Sequence, residues 1–326
     1  MVTAIEPLLR EQLIDRRQKL ENAASAFHRP MELTELLKEV DDALHRMDLG
    51  TYGLCEVCHD PVEPERLIAD PLTRFCLGDL TPREQRALEQ DLELASRIQI
   101  GLLPPRTQQI DGWEVCYHYQ PAGAVSGDYC DLIRGADQSL HFVLGDVSGK
   151  GVAASMLMAH LNAMFRTLIS IDLSLEQTVE RASRVFCEST LPTQYATLVC
   201  GRANTKGEVE ICNAGHLPPL LIQKNQVTSI AATGLPVGVF CSESFSVNRI
   251  QMQEGDTLFL YTDGLSETRD GFDNEYGSER LSRLLSANAE AAPEALVSLC
   301  RQDLHTFAEG RVPIDDLTIM AITRTK

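Results

Sequence analysis

Two consecutive prolines, Pro104 and Pro105, divide this chain into two textures and limit what each can become. Proline lacks an amide proton and clashes with the preceding turn, so no helix continues through the pair. Before it, apolar residues recur at helical spacing. After it, they gather in short runs of the kind that form strands.

Upstream, residues 4–28 and 31–47 read as two helices broken at Pro30. In the second, Leu33, Leu36, Leu37, Val40 and Leu44 make one apolar stripe. A cysteine-containing stretch broken by Gly and Pro follows over 50–80. Thr81-Pro82-Arg83-Glu84 is a helix start, with Thr as N-cap, Pro at the first helical position and Glu closing a capping box. Along that helix Leu88, Leu92, Ala95 and Leu102 recur at steps of four and three, with Gln99 interrupting. Two readings stay open: an amphipathic helix packed on its own domain, or a parallel two-helix coil joining two protomers.

Downstream, the runs WEVCYHYQ, LHFVLGD, YATLVCG, EVEICNAG, LPPLLIQ, TLFLYTDG and LTIMAIT predict strands. Helical patterns fall at 152–169, 175–189, 278–288 and 293–308. Hairpin-like meanders beside helix pairs predict an α+β fold with helices layered on antiparallel sheet.

Charge narrows the partners. The excess of 47 acidic over 29 basic residues gives a net −18, which disfavours nucleic acid or an anionic membrane for the whole chain. No uninterrupted apolar run approaches the ~18 residues of a membrane span. The start, MVTAIEPLLREQLIDRR, carries charges throughout and has no signal-peptide core. A cytoplasmic protein is expected, and the scattered cysteines read as buried thiols rather than a disulfide framework.

The chemistry lies in aspartates. Asp146 and Asp263 each end an apolar run, Asp128 follows a glycine, and Asp315 and Asp316 precede the last run. Any one of these is more often a turn-former or a cap. Together, at strand ends that can share one rim, they would repel unless cations sat among them. Carboxylates without His or Cys suit Mg²⁺, Mn²⁺ or Ca²⁺ rather than zinc. The glycines of GDVSGKG, 145–151, suggest a nucleotide loop, but Gly145 and Gly149 are one residue too close for a P-loop. Gly151 also stands where Ser or Thr should follow the lysine. A dinucleotide fingerprint fails as well.

The motifs SGDYCDL, LGDVSGKGVAASMLMA, YATLV, NAGHLPPLL, TGLPVGV, GDTLFLYTDGLSE and DDLTIMAI, in that order, resemble the PPM metal-dependent Ser/Thr protein phosphatases of the bacterial SpoIIE/RsbU type. The similarity runs from about Arg97 to Arg324. It implies a PPM-type αββα sandwich with two Mn²⁺ or Mg²⁺ ions at one end. Asp128 would hold one ion and Asp146 would bridge both. The Val147 carbonyl would be a ligand, and Asp263 with Asp315, preferred to Asp316, would complete the second ion. Water activated by the ions would attack phosphoserine or phosphothreonine in line, without a phosphoenzyme. Ser148 replaces a histidine of the eukaryotic branch that is a candidate general acid. His216 invites that role, though a turn histidine is more often structural. Lys150 could steer phosphate or simply be a solvated helix residue. TGLPVGV, 233–239, belongs by resemblance to a region that, with the helices at 152–189, can switch activity.

Cys55-x2-Cys58, followed by Cys76-x2-Asp79, has four-ligand zinc spacing with Asp as the fourth group. His59 is a rival ligand strained by adjacency to Cys58. A degenerate finger packing without metal is the plain alternative. Residues 34–80 resemble the DksA/TraR-type zinc finger, whose longer-armed members enter RNA polymerase. The arm here is short and shows no identifiable acidic tip, so a sensory or docking role fits better.

The expected organisation is therefore a helical finger domain at 1–80, a helical linker at 81–105 that could pair two protomers as a homodimer, and a phosphatase domain at 106–326. By resemblance, the substrate is a phosphorylated STAS-domain anti-anti-sigma partner. The alternatives are a pseudophosphatase scaffold and a DksA-like RNA polymerase regulator.

Overall fold

The structure, a computed structural model, describes residues 2–26, 30–77, 82–171, 173–191, 193–311 and 314–325. It divides into two compact units, Met1–Ser96 and Arg97–Lys326.

In the first unit, α1 (Val2–Ala26) and α2 (Pro30–Asp48) form an antiparallel hairpin. Pro30 opens α2, where its missing amide is no loss. Leu9, Leu13 and Leu20 share one buried cluster with Val40, Ala43 and Met47. The exposed pairs Arg10–Asp48 and Arg17–Asp41, at 2.5 and 2.7 Å, add little to that burial. The short helix α3 (Pro64–Ala69) then contributes Leu67 to the same cluster. The helix α4 (Pro82–Leu102) ends before the proline pair. Its Thr81 cap lies outside the described residues, as do positions 27 and 28 of the first expected helix.

The second unit begins with β1 (Thr107–Ile110), β2 (Trp113–Gln120), β3 (Asp128–Arg134) and β4 (Leu140–Val147). The helices α5 (Gly151–Ile169) and α6 (Leu175–Ser189) follow. Next come β5 (Ala196–Ala203), β6 (Glu208–Ala214), β7 (Leu220–Gln223), β8 (Gln226–Ser229), β9 (Asn248–Gln251) and β10 (Thr257–Tyr261). The chain closes with α7 (Asp263–Ser266), α8 (Gly277–Ala287), α9 (Pro293–Phe307) and β11 (Leu317–Arg324). One sheet has the order β1-β2-β11-β10-β7-β8 and the other β3-β4-β5-β6-β9, with antiparallel neighbours throughout.

Alternation along each strand explains the layers. Val115, Tyr117 and Tyr119 of β2 meet Leu140, Phe142 and Leu144 of β4 in one cluster between the sheets. Val143, Leu198 and Cys200 face the other way and join Met158, Phe165, Val179 and Phe186 of α5 and α6. Ile319 and Ala321 pack instead with Leu281, Leu296 and Cys300 of α8 and α9. Helices therefore cover both outer faces, which is the α+β sandwich expected from the sequence. Strands buried on both sides need apolar residues at nearly every position, hence the continuous runs.

The helix α5 is long and apolar enough to cross a membrane by length and composition, although no uninterrupted apolar run in the sequence suggested it. A core helix passes the same test, and α5 buries Ala154, Met158, Leu161 and Phe165 against the sheet. Its Arg166 makes two 2.8 Å bonds to Asp131, a fully buried carboxylate on β3.

Candidate metal centre

Asp128 opens β3, Asp146 lies one residue from the end of β4, and the two face each other in register. Asp263 opens α7 one residue beyond the end of β10, after Thr262, while Asp315 and Asp316 lie directly before β11. Strand ends of both sheets thus bring the four expected aspartates to one rim. Their electrostatic effects on one another show the proximity. Burial first, then Asp146 and Asp316, raise the Asp128 carboxyl well above the usual range. Burial, Asp263, Asp315 and Asp316 do the same to Asp146. Asp263 is pushed up to about 6 by burial and then by Asp315.

Asp128 is held in place from the opposite sheet. Its Oδ2 accepts hydrogen bonds from the hydroxyls of Thr262, at 3.0 Å, and Thr318. Its Oδ1 is buried with no hydrogen-bond partner. An unpaired buried carboxylate oxygen is costly, which points to a group that would complete it.

The two C-terminal aspartates have different tasks. Asp316 accepts the amides of Ala122 at 2.7 Å and Gly127 at 2.8 Å, so its carboxylate fastens the 121–127 turn. Asp315 instead receives Lys150 Nζ at 2.8 Å. Gly264 lets α7 approach this corner, because a Cβ there would meet the Asp316 carbonyl at 2.0 Å. At Gly127 a Cβ would meet the Val147 carbonyl at 3.2 Å and Asp146 Oδ1 at 3.5 Å. It would fill the space beside the atoms that the family resemblance offers as ligands.

Gly149 and Gly151, at φ +97° and +71°, turn the chain from β4 into α5. Ser148 pairs with Tyr195 through its amide, at 2.9 Å, and accepts the Tyr195 amide on its hydroxyl at 3.0 Å. His216 is a brace. Its Nδ1 lies 2.8 Å from Thr197 Oγ1, and its Nε2 lies 3.1 Å from the Tyr261 carbonyl. Thr197 faces Asp146 in register and Tyr261 stands two residues before Asp263, so the ring joins the ends of both sheets. Burial lowers its pKa to about 4, leaving it neutral near pH 7.

Oxygen-only donors, a cleared space and an unsatisfied Asp128 oxygen fit hard divalent cations. Thr262, Thr318 and the holding role of Asp316 escaped the sequence reading, because their partners are distant along the chain.

The 233–239 segment pairs with the sheet. Gly234 bridges to Ala214 and Val237 to Ala196, extending the five-stranded sheet near the centre. The cysteine expectation also needs correction. Cys116, Cys130, Cys200, Cys212 and Cys300 are buried thiols, but Cys187 and Cys241 form a disulfide. Cys187 is half-buried in the last turn of α6 and Cys241 is exposed outside any helix or strand, where apolar-run patterning carries no signal for pairing.

In the first unit, Cys55, Cys58 and Cys76 place their sulfurs within 4.8 Å of one another, which fits a zinc ion. His59, on a left-handed turn at φ 61°, is not in that group. Asp79 lies outside the described residues.

Residues 136–325 match the family described as Stage II sporulation protein E (SpoIIE), more than half of the chain. The chain belongs to the SpoIIE family. This family depends on Mn²⁺ or Mg²⁺. Residues 50–78 match a second family, the prokaryotic dksA/traR C4-type zinc finger. Among relatives, Protein IcfG of Synechocystis sp. is 27% identical over 72% of this chain, which spans only 41% of IcfG. Phosphoserine phosphatase RsbU of Bacillus subtilis is 24% identical, covering 74% of this chain and 72% of RsbU. The RsbU and RsbW domains of Rv1364c from Mycobacterium tuberculosis superpose with a TM-score of 0.58 at 28% identity, covering 68% of this chain and 62% of that one. The SpoIIE-family match lies within the second unit and includes Asp146, Asp263, Asp315 and Asp316, while Asp128 lies just before it.

Proposed function

We propose that this chain is a metal-dependent protein serine/threonine phosphatase that hydrolyses phosphoserine or phosphothreonine on a regulatory protein. The observation that carries the reading is Asp128 Oδ1, buried and unpaired among converging carboxylates. Asp128 and Asp146 would hold one ion. Asp146, Asp263 and Asp315 would hold the second, and the Val147 carbonyl would be a further ligand. Such ions, when bound, acidify water, polarise a phosphoryl oxygen and neutralise charge on the leaving group.

The protein's own part is positioning. Thr262 and Thr318 aim Asp128 by fixing its other oxygen. Asp316 holds the 121–127 turn so that Gly127 leaves room beside Asp146. His216 fixes the separation of the sheet ends and, with both ring nitrogens engaged, is not the proton donor. Ser148 is committed to Tyr195, so solvent supplies the proton that the leaving alkoxide takes.

The substrate we infer is a phosphorylated STAS-domain anti-anti-sigma protein, in keeping with the similarity to RsbU, itself a phosphoserine phosphatase. The finger unit serves as the regulatory part, the 82–102 helix relays its state and pairs two protomers, and the chain works in the cytoplasm. Residues 1–80, 81–105 and 106–326 are the corresponding divisions. Phosphate release from a phosphorylated STAS protein, with Mn²⁺ and with chelator, tests the assignment. Release only with Mn²⁺ supports it. Tight binding of the phosphoprotein without release would instead support a scaffold.

A further inference from the structure

The second unit holds seven cysteines, and the two that are not buried thiols are the two that are joined, Cys187 and Cys241. Cys187 is half-buried near the end of α6, and Cys241 is exposed just beyond the 233–239 segment. Glu180, Ser183 and Cys187 lie on one face of α6. Each touches the segment that runs alongside: Phe245 N donates to Glu180 Oε1 at 3.4 Å, and Gly238 N donates to Ser183 Oγ at 3.3 Å. The third contact is the disulfide, with its Cα atoms 5.3 Å apart. The two hydrogen bonds are long, so the covalent bond is the strongest of the three fasteners.

What it fastens reaches the metal centre in one strand step. Val237 exchanges backbone hydrogen bonds of 2.8 and 2.9 Å with Ala196. Ala196 pairs in register with Val147, and its neighbour Tyr195 holds Ser148. The segment is thus the outer support of the turn that carries Asp146 and the Val147 carbonyl.

Among the described residues the other eight cysteines are thiols, so this bond stands apart from a disulfide scaffold. Cys55, Cys58 and Cys76 form a close thiol cluster suited to metal, and five further thiols are single and buried. Thiol clusters and single buried thiols are usual where thiols are kept reduced, and disulfides there are transient or redox-sensing.

We propose that Cys187 and Cys241 are a reversible thiol–disulfide modification site, whose oxidised form clamps the 233–245 segment to α6 and tightens the hold of the Asp146 turn on Mn²⁺. The oxidant is a low-molecular-weight disulfide, RSSR. The thiolate of Cys241, the more exposed of the two residues, attacks one sulfur of RSSR and expels one thiol. The Cys187 thiolate then attacks the sulfur of Cys241 in this mixed disulfide and expels the second. The protein loses two protons and two electrons, and RSSR becomes two RSH. Added thiol runs the sequence backwards. The Mn²⁺ part rests on the metal-centre reading; the redox part does not.

The full chain is equilibrated in reduced and oxidised glutathione mixtures, alkylated and digested, and Mn²⁺ affinity is read calorimetrically on the same samples. The peptides bearing Cys187 and Cys241 are expected to become linked together and to separate on reduction. The oxidised form is expected to bind Mn²⁺ about fivefold or more tightly than the reduced form. Cys187→Ser and Cys241→Ser, which keep the finger thiols, are each expected to show the reduced affinity at every ratio. Independent alkylation of the two cysteines throughout, or a link that glutathione never opens, overturns the switch. Equal Mn²⁺ affinity in both forms, or a redox response that survives in either variant, overturns the coupling. Failure of all samples to bind Mn²⁺ while the link still opens and closes would refute the metal-centre reading instead.

Discussion

Gln99, near the end of α4, exchanges two hydrogen bonds with the backbone of Ser126: its Nε2 donates to the carbonyl at 2.7 Å, and its Oε1 accepts the amide at 2.9 Å. Ser126 Oγ in turn accepts the Asp128 amide at 3.0 Å. A residue that breaks an apolar stripe in the sequence thus reaches, through one serine, the start of β3. Gln99→Leu removes both bonds and leaves two buried backbone groups unsatisfied, a loss of about 2 kcal/mol or more. Chemical denaturation should show that loss, and Mn²⁺ titration should show weaker binding than in the wild type.

Asp263 gives a pH test whose sign is fixed. Its folded-state pKa of about 6 stands above its ordinary value of 3.8. The stability contributed by its proton is fully present below the ordinary value and is lost as pH rises through about 6. In chelator, the melting temperature of the wild type should therefore rise as pH falls from 7.5 towards 5. Asp263→Asn should be more stable than wild type at pH 7.5 in chelator, by ~1–2 kcal/mol, while losing activity.

His216 separates bracing from proton donation. His216→Ala should cost about 2–3 kcal/mol, because it leaves a cavity and unpaired groups on both sheets. Its remaining activity should keep the wild-type pH–rate profile between pH 5.5 and 8. A profile that loses a limb in the variant would make the histidine a proton donor.

Arg166 neutralises Asp131, whose burial outweighs the arginine and keeps its pKa raised. Arg166→Ala leaves a buried carboxylate uncompensated and should destabilise by about 3 kcal/mol. Arg166→Lys should recover only part of this, since lysine cannot reproduce the two-pronged contact.

The finger predicts a metal count. Purified wild type should carry about one zinc per chain, and Cys55→Ser much less, with unfolding confined to the first unit. Equal, near-zero zinc in both would exclude the site.

The patterns that were legible are those with local causes. All seven apolar runs became strands, because burial on two faces writes itself into consecutive residues. The strands β1, β8 and β9 stayed hidden: each is four residues long, mostly polar, and lacks a buried alternating face. The strand β3 was obscured because its two aspartates, Asp128 and Asp131, are buried charges in a place where the pattern leads one to expect apolar residues. At the site, strand-end aspartates stood out in the sequence. Their supports did not, since Gln99, Thr262 and Thr318 act on partners 27, 134 and 190 residues away. The Cys187–Cys241 pair, 54 residues apart, was hidden for the same reason.

The central claim is that the converging carboxylates make a metal-dependent phosphatase. Its most direct test is the rate of phosphate release from an aryl phosphate as Mn²⁺ is raised, for the full chain and for Asp146→Asn. The account predicts a saturable, Mn²⁺-dependent rate in the wild type and a rate at least about 10²-fold lower in the variant. A wild type without metal-dependent turnover, or a variant that matches it, would contradict the account.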